Sequence, residues 1–104
     1  MKKKILLFIV TYNSSFRLIN IMNKINKINK KNDTYKILIS DDCSTDDTID
    51  YIKKIKKNKN IKIIINKRNL GYGGNIKQCL SYGIKKKFDL AVMIHGDDQY
   101  DAKY

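Results

Sequence analysis

The sequence of 104 residues contains no proline and no glutamate, only two cysteines, and no long hydrophobic run. Since no apolar stretch approaches the ~18 residues of a transmembrane helix, the pattern excludes a membrane-spanning segment. The two cysteines, Cys43 and Cys79, match no metal-binding or redox spacing, which favours incidental thiols in a cytosolic protein. What remains is a small chain with room for one domain.

Positive charge, in contrast, is abundant: 22 Lys and Arg residues against 10 acidic ones give a formal net charge of +12 at pH 7. Such a charge is typical of proteins that bind nucleic acid or membrane surfaces. However, Lys, Ile and Asn supply almost half of the chain. This indicates an even compositional bias more than a selected binding face, so the charge alone identifies no partner.

The first ten residues imitate a signal peptide, with three lysines followed by the apolar run Ile5–Val10. Six apolar residues are fewer than a signal peptide uses, and the run leads into Thr11 without a small-residue cleavage site. We interpret the run as a buried strand.

Four short apolar runs alternate with three segments of helical periodicity. Residues 5–10, 35–40, 61–65 and 90–94 predict strands, and each of them is expected to be buried. The three segments between them predict helices, because apolar residues recur there at helical spacing. The buried side of the first would carry Leu18, Ile21, Met22, Ile25 and Ile28, and that of the second Ile49, Ile52 and Ile55. The third helix, from about Gly74 to Lys86, would bury Ile76, Leu80 and Ile84. The order β-α-β-α-β-α-β predicts a Rossmann-like parallel α/β sheet with right-handed crossovers and helices on both faces.

Polar clusters follow all four predicted strands: residues 11–13, Asp41-Asp42, residues 66–74, and Asp97-Asp98. In an open parallel sheet, ligands bind beyond the carboxyl ends of the strands. Four such clusters on one edge therefore predict a binding site there, although any one of them alone would be consistent with an ordinary turn.

Asp41-Asp42 permits two interpretations. The pair is either a turn before a helix, or a carboxylate that accepts hydrogen bonds from a nucleobase or ribose. The glycine-rich segment 69–75 is not a dinucleotide fingerprint, because it follows the third strand. Its glycines would let the backbone approach a ligand or pack a helix closely.

Asp97-Asp98 is the sharpest of the four signals. Adjacent carboxylates repel each other unless a cation or hydrogen-bond donors neutralise them, and their oxygens suit Mg²⁺ or Mn²⁺. His95 and Gln99 flank the pair. The alternative is a solvated loop without a ligand.

Taken together, four segments resemble the family-2 glycosyltransferases, in that family's order and over essentially the whole chain. They are Ile9-Val-Thr-Tyr-Asn13, Asp41-Asp-Cys-Ser-Thr-Asp46, Asn69-Leu-Gly-Tyr-Gly-Gly-Asn75 and His95-Gly-Asp-Asp-Gln-Tyr100. The last two look most like the branch that transfers mannose or glucose to polyprenyl phosphate.

The resemblance implies a GT-A fold in which this part binds a nucleoside diphosphate sugar and a divalent ion, Mg²⁺ or Mn²⁺. The implied nucleotide-sugar site comprises Thr11, Tyr12, Asn13, Asp41, Asp42 and Gly73, and the implied metal site comprises Asp97, Asp98 and Gln99. His95 replaces the first acid of the family's Asp-x-Asp motif, which would shift metal ligation to Asp97-Asp98 or weaken it.

We therefore expect residues 1–104 to be the N-terminal, nucleotide-sugar-binding part of a glycosyltransferase. Family members continue beyond this length, so the acceptor half and any general base would lie beyond Tyr104. The expected reaction transfers a sugar from a UDP- or GDP-linked donor to a polyprenyl phosphate or a cell-envelope glycan. It would take place in the cytoplasm, at the inner face of the membrane if the acceptor is a lipid phosphate.

Three alternatives stay open. Instead of a glycosyltransferase part, the chain would be one of the following: a truncated, non-catalytic nucleotide-binding module of the same fold, a basic nucleic-acid binder, or a receiver-type signalling domain. The nucleic-acid alternative lacks a stacking surface and a recognition motif, so we expect no specific nucleic-acid partner. A receiver domain would need a phosphoacceptor after the third strand, where Asn66-Lys67-Arg68 stands.

Overall fold

The computed structural model describes residues 3–25, 34–56 and 60–94. They form a four-stranded parallel sheet of order β3-β2-β1-β4, together with three helices. The elements are β1 (Lys4–Thr11), α1 (Ser15–Ile25), β2 (Thr34–Asp41), α2 (Thr48–Ile55), β3 (Ile61–Ile65), α3 (Gly71–Lys85) and β4 (Leu90–Met93). The predicted Rossmann-like α/β fold is confirmed.

Helices cover both faces of the sheet. Alternate residues of β1 point to opposite sides: Ile5, Leu7 and Ile9 join a buried cluster with side chains of α1 and α2. Leu6 and Phe8 instead join a second cluster, to which α3 contributes. Because both faces of β1 are covered, its sequence is apolar throughout instead of alternating with polar residues.

The order of the strands places a topological switch point beside β1. This strand pairs in parallel with β2 on one side, with Thr11 opposite Asp41, and with β4 on the other, with Phe8 opposite Met93. The helices α1 and α2 lie on one face of the sheet, whereas α3, which leads to β4, packs on the other. The crevice beyond the carboxyl ends of β1 and β4 is therefore where this fold binds ligands.

The prediction that every strand is buried was wrong for the two edge strands, β4 and β3. Leu90 and Val92 are 46% and 38% exposed. In the register of β1 and β4 these two residues pair with Ile5 and Leu7, so they lie on the face that carries α1 and α2. β3 and β4 are the outermost strands of the described sheet, and Ile65 of β3 is also 43% exposed. Burial on both faces therefore holds only for the interior strands, β1 and β2.

The predicted buried side of α3 was wrong for Leu80 and Ile84, which are exposed, whereas Ile76 is partly buried against the second cluster. The residues of α3 that are buried are Asn75, Cys79 and Gly83. A Cβ on Gly83 would lie 3.4 Å from Leu6 Cδ2, so a small residue at this position lets the helix approach the sheet closely. The buried stripe thus consists of small or polar residues, and it is displaced by one residue, or about 100° around the helix, from the stripe that hydrophobic periodicity predicts.

One predicted helix boundary also differs: α3 begins at Gly71, three residues before the predicted start. In α2, Ile52 is fully buried, whereas Ile49 and Ile55 are partly buried. Ile28, predicted on the buried side of the first helix, lies outside the described residues.

Candidate nucleotide-binding site

A cavity of about 300 Å³ opens at the carboxyl end of the sheet. Three parts of the chain form it: the end of β1 with the loop that follows, the residue after β2, and the start of α3 with the loop before it. Its lining residues are Val10, Thr11, Tyr12, Asp42, Asn69, Gly71, Tyr72 and Asn75. The cavity thus occupies the position at which parallel α/β sheets bind ligands.

Asp41, the last residue of β2, is fully buried beneath this cavity edge and is not among its lining residues. Its carboxylate accepts hydrogen bonds from the Thr11 hydroxyl (2.7 Å), the Ser44 hydroxyl (2.6 Å) and the Ser44 backbone N–H (2.8 Å). Each donor is satisfied by a charged acceptor, which gives stronger bonds than neutral pairs. Asp41 therefore holds the loop after β2 against the end of β1.

Asn13 connects the same two loops from the other side. Its side-chain oxygen accepts hydrogen bonds from the backbone N–H groups of Thr45 (2.8 Å) and Asp46 (3.3 Å), and its own N–H donates to the Ser44 hydroxyl (2.9 Å). Asn13 has a φ of 47°, a left-handed conformation that asparagine tolerates better than most residues. We call Thr11, Asn13, Asp41 and Ser44 the first-loop network, and it fixes the backbone on both sides of Tyr12.

A carboxylate also contacts the start of α2. Asp46 accepts a hydrogen bond from the Thr48 backbone N–H at 2.9 Å. Hydrogen bonds from the side chain and backbone of Thr48 hold the pKa of Asp46 below its ordinary value. An anion at this position also interacts favourably with the positive end of the helix dipole.

Asp42 lines the cavity and is bound to a different loop. Its Oδ1 accepts hydrogen bonds from Asn66 Nδ2 (3.0 Å) and the Leu70 N–H (2.6 Å), and its Oδ2 accepts one from the Gly71 N–H (2.9 Å). Leu70 and Gly71 are the N-cap and first residue of α3. Asp42 therefore caps this helix from 28 residues away in sequence.

Gly71 enables this arrangement, because its φ of 81° lies in the left-handed region that favours glycine. The early start of α3 thus depends on a distant carboxylate and on a glycine at the turn. Neither contribution can be read from the local helical pattern.

Asn75, one of the lining residues, belongs to a cluster of uncharged polar side chains that the sequence analysis missed. Asn75 donates to the Ser40 carbonyl (2.8 Å) and accepts from the Ser40 hydroxyl (2.6 Å). Gln78 donates to the Ser40 hydroxyl and to Asn66 Oδ1, both at 2.8 Å. Among the described residues, no buried side-chain polar atom lacks a hydrogen-bond partner. The polar spacing of Asn75 and Gln78 on one side of α3 is the signal that identifies this cluster.

Two tyrosines contribute the aromatic surface of the cavity. Tyr12 is 51% exposed and Tyr72 is 62% exposed, and they come from the loop after β1 and the first turn of α3. The Tyr72 hydroxyl lies 4.0 Å from Met93 Sδ, which connects α3 to the end of β4. Exposed aromatic rings in a cavity suit a flat, π-rich ligand such as a nucleobase. Tyr72 is a site residue that the sequence analysis did not single out.

The structure thus places the predicted site residues in three groups. Thr11, Tyr12 and Asp42 line the cavity, whereas Asp41 and Asn13 support it through hydrogen bonds. Gly73 is exposed in the first turn of α3 and is not one of the lining residues. The predicted metal ligands Asp97, Asp98 and Gln99, and His95 beside them, lie outside the described residues.

Within residues 3–25, 34–56 and 60–94, no group of three or more His, Cys, Asp or Glu side chains is arranged to hold a metal ion. No helix in these same ranges is long and apolar enough to cross a membrane.

Solved structures of glycosyltransferases have a similar fold. The crystal structure of S. aureus TarS superimposes with a TM-score of 0.66 at 22% sequence identity, over 90% of this chain and 16% of TarS. TarS residues 1–349 in complex with UDP-GlcNAc give a TM-score of 0.63 at 22% identity, over 90% of this chain and 26% of that one. The mannosyltransferase PcManGT from Pyrobaculum calidifontis, in complex with GDP-Man and Mn²⁺, gives a TM-score of 0.65 at 13% identity, over 79% of this chain and 25% of that one.

The present chain therefore spans about a quarter or less of the length of these glycosyltransferases. No curated protein sequence matches it. The family model described as "Glycosyl transferase family 2" matches residues 7–104, nearly the whole chain. The chain belongs to glycosyl transferase family 2.

Proposed function

We propose that this chain binds the donor of a glycosyltransferase that transfers a sugar from a nucleoside diphosphate sugar. The observation that carries the proposal is the cavity at the switch point of the sheet, where Tyr12, Tyr72 and Asp42 meet. Aromatic rings offer a stacking surface to a base, and a carboxylate offers an acceptor to its N–H groups. The glycosyltransferases of similar fold that were solved with UDP-GlcNAc and GDP-Man support this class of ligand.

The diphosphate of the donor would extend towards the residues that follow β4. Asp97, Asp98 and Gln99 stand there in the sequence and carry the oxygen atoms that Mg²⁺ or Mn²⁺ prefers. When bound, such an ion neutralises the charge that grows on the departing nucleoside diphosphate. The Mn²⁺ in the mannosyltransferase complex supports this part of the proposal.

The acceptor we propose is a polyprenyl phosphate or a cell-envelope glycan. A phosphate acceptor is already anionic, so it would attack the sugar without a general base, whereas a glycan hydroxyl would require one. With a lipid acceptor, the protein would work at the cytoplasmic face of the membrane.

Calorimetric titration with UDP- and GDP-sugars, with and without Mn²⁺, tests the proposal. We expect at least one donor sugar to bind, and to bind more tightly when Mn²⁺ is present. The double substitution Asp97→Asn with Asp98→Asn should remove the effect of Mn²⁺ and keep the metal-independent binding, whereas the same substitution at the exposed Asp50 should change neither. If no nucleotide sugar binds to the folded protein, the proposed function is wrong.

A further inference from the structure

We infer that the cavity selects a uridine nucleotide over a guanosine nucleotide, because Asp42 has room for one more hydrogen-bond donor and not for two. This inference rests on the proposed function, and it names the base of the donor. It follows from the hydrogen bonds that Asp42 already makes inside the protein.

An ionised carboxylate offers about four lone-pair positions, two on each oxygen. On Asp42, both positions of Oδ1 are taken, by Asn66 Nδ2 at 3.0 Å and by the Leu70 N–H at 2.6 Å. One position of Oδ2 is taken by the Gly71 N–H at 2.9 Å, a donor that Asp42 shares with Asn69 Oδ1, also at 2.9 Å. A single acceptor position on Oδ2 is left for a ligand.

The part of the donor that faces Asp42 is the base. The diphosphate is anionic, and a carboxylate only 4% exposed would repel it strongly at short range. A base carries N–H donors that a carboxylate attracts, and its flat ring suits the cavity surface provided by Tyr12 and Tyr72. Asp42 is also the only acidic residue among those that line the described cavity.

Uracil and guanine differ in the number of donors they present together. Uracil has one imide N–H between two carbonyl groups, so its donor count matches the single position on Oδ2. Guanine has an N1–H next to a 2-amino group, and these two donors would compete for the same position. The donor left without a partner loses its hydrogen bonds to water on binding, which weakens the complex.

A purine is larger than a pyrimidine, so the size of the base is a second difference between the two ligands. Size and donor count are separable, because hypoxanthine is a purine that has the N1–H and lacks the 2-amino group.

The test is calorimetric titration of the chain with four nucleotides: UDP, GDP, IDP and UDP methylated at N3 of uracil. We expect UDP to bind about tenfold more tightly than GDP and than N3-methylated UDP, because an unmatched donor or a lost one costs roughly one hydrogen bond. IDP should bind more tightly than GDP. These probes change the ligand and leave the protein intact, so a folding defect cannot produce the pattern.

Three results would overturn the inference while leaving the proposed function in place: GDP binding as tightly as UDP, N3-methylated UDP binding as tightly as UDP, or IDP binding no better than GDP. The second result would also be the outcome if Asp42 accepted hydrogen bonds from the ribose hydroxyls. Binding of none of the four nucleotides would contradict the proposed function itself, and this inference with it.

Discussion

The carboxyl ends of β1 and β2 differ from the β4 side of the sheet in the burial and hydrogen bonding of their side chains. Around Asp41 and Asp42, polar groups are buried and each carboxylate accepts three hydrogen bonds. On β4, Leu90 and Val92 are apolar and substantially exposed. Substitutions near the cavity should therefore act through lost hydrogen bonds, whereas substitutions on β4 should have little hydrophobic burial to lose.

We expect the largest loss of stability when the first-loop network loses the carboxylate of Asp41. Asp41→Ala leaves one buried donor and two partly buried donors without their charged partner, so we expect the free energy of unfolding to fall by about 3 kcal/mol. Urea denaturation followed by circular dichroism measures this change. Asp50→Ala, on the exposed side of α2, serves as the control and should cost less than about 1 kcal/mol. Equal costs for the two variants would contradict a structural role for Asp41.

Two leucines that differ in burial, one on β2 and one on β4, test the β4 side of this comparison. Leu38 of β2 is fully buried and Leu90 of β4 is 46% exposed. Leu38→Ala should reduce the free energy of unfolding by about 3 kcal/mol, through lost burial and the cavity it leaves. Leu90→Ala should reduce it by less than about 1 kcal/mol. If Leu90→Ala proves as costly as Leu38→Ala, then β4 is covered in the folded protein in solution.

Tyr72 lines the cavity and contributes little to the packing of the protein interior. Since its ring is 62% exposed, Tyr72→Ala should leave the unfolding midpoint nearly unchanged. It should weaken UDP binding by about 1–2 kcal/mol, which is the size of one lost stacking contact. Ile84→Ala, on the same helix at 80% exposure, is the matched control for which we expect no loss of affinity. Unchanged UDP affinity in Tyr72→Ala would show that the ring is not part of the site.

The smallest effect is expected at Cys43, whose backbone has a φ of 65°. This left-handed conformation costs a residue with a side chain roughly 1 kcal/mol, and glycine adopts it freely. Cys43→Gly should therefore raise the free energy of unfolding by about 0.5–1 kcal/mol, as measured by the same urea denaturation. A destabilised variant would indicate that the contact of Cys43 Sγ with the Lys67 carbonyl, at 3.7 Å, outweighs the backbone strain.

The same contrast explains which features the sequence could predict. The strands β1 and β2 were predictable because burial on both faces produces an unbroken apolar run, as in Ile5–Val10. The buried side of α3 was not, because Asn75, Cys79 and Gly83 contact the sheet through small size and hydrogen bonds, which hydropathy does not register.

The position of the site was predictable from the polar residues after the strands, whereas the roles of individual residues were not. Asp41 and Asp42 are neighbours in sequence, but Asp41 binds the end of β1 and the loop after β2, whereas Asp42 caps α3, and their partners are up to 30 residues away. Successive side chains at the end of a strand point in opposite directions. Only the arrangement of the loops in three dimensions determines what each carboxylate contacts.

The most direct measurement of nucleotide binding at the switch point is a titration of the ¹⁵N-labelled protein with UDP, followed by amide chemical shifts. We expect the largest changes at the amides that surround the cavity: Thr11, Tyr12, Asp42, Gly71 and Tyr72. A protein of net charge +12 that attracts UDP by charge alone would instead show its changes at lysine-rich surfaces such as Lys85–Lys87. Changes confined to those lysines, with the cavity amides unmoved, would contradict the assignment of this cavity as the nucleotide site.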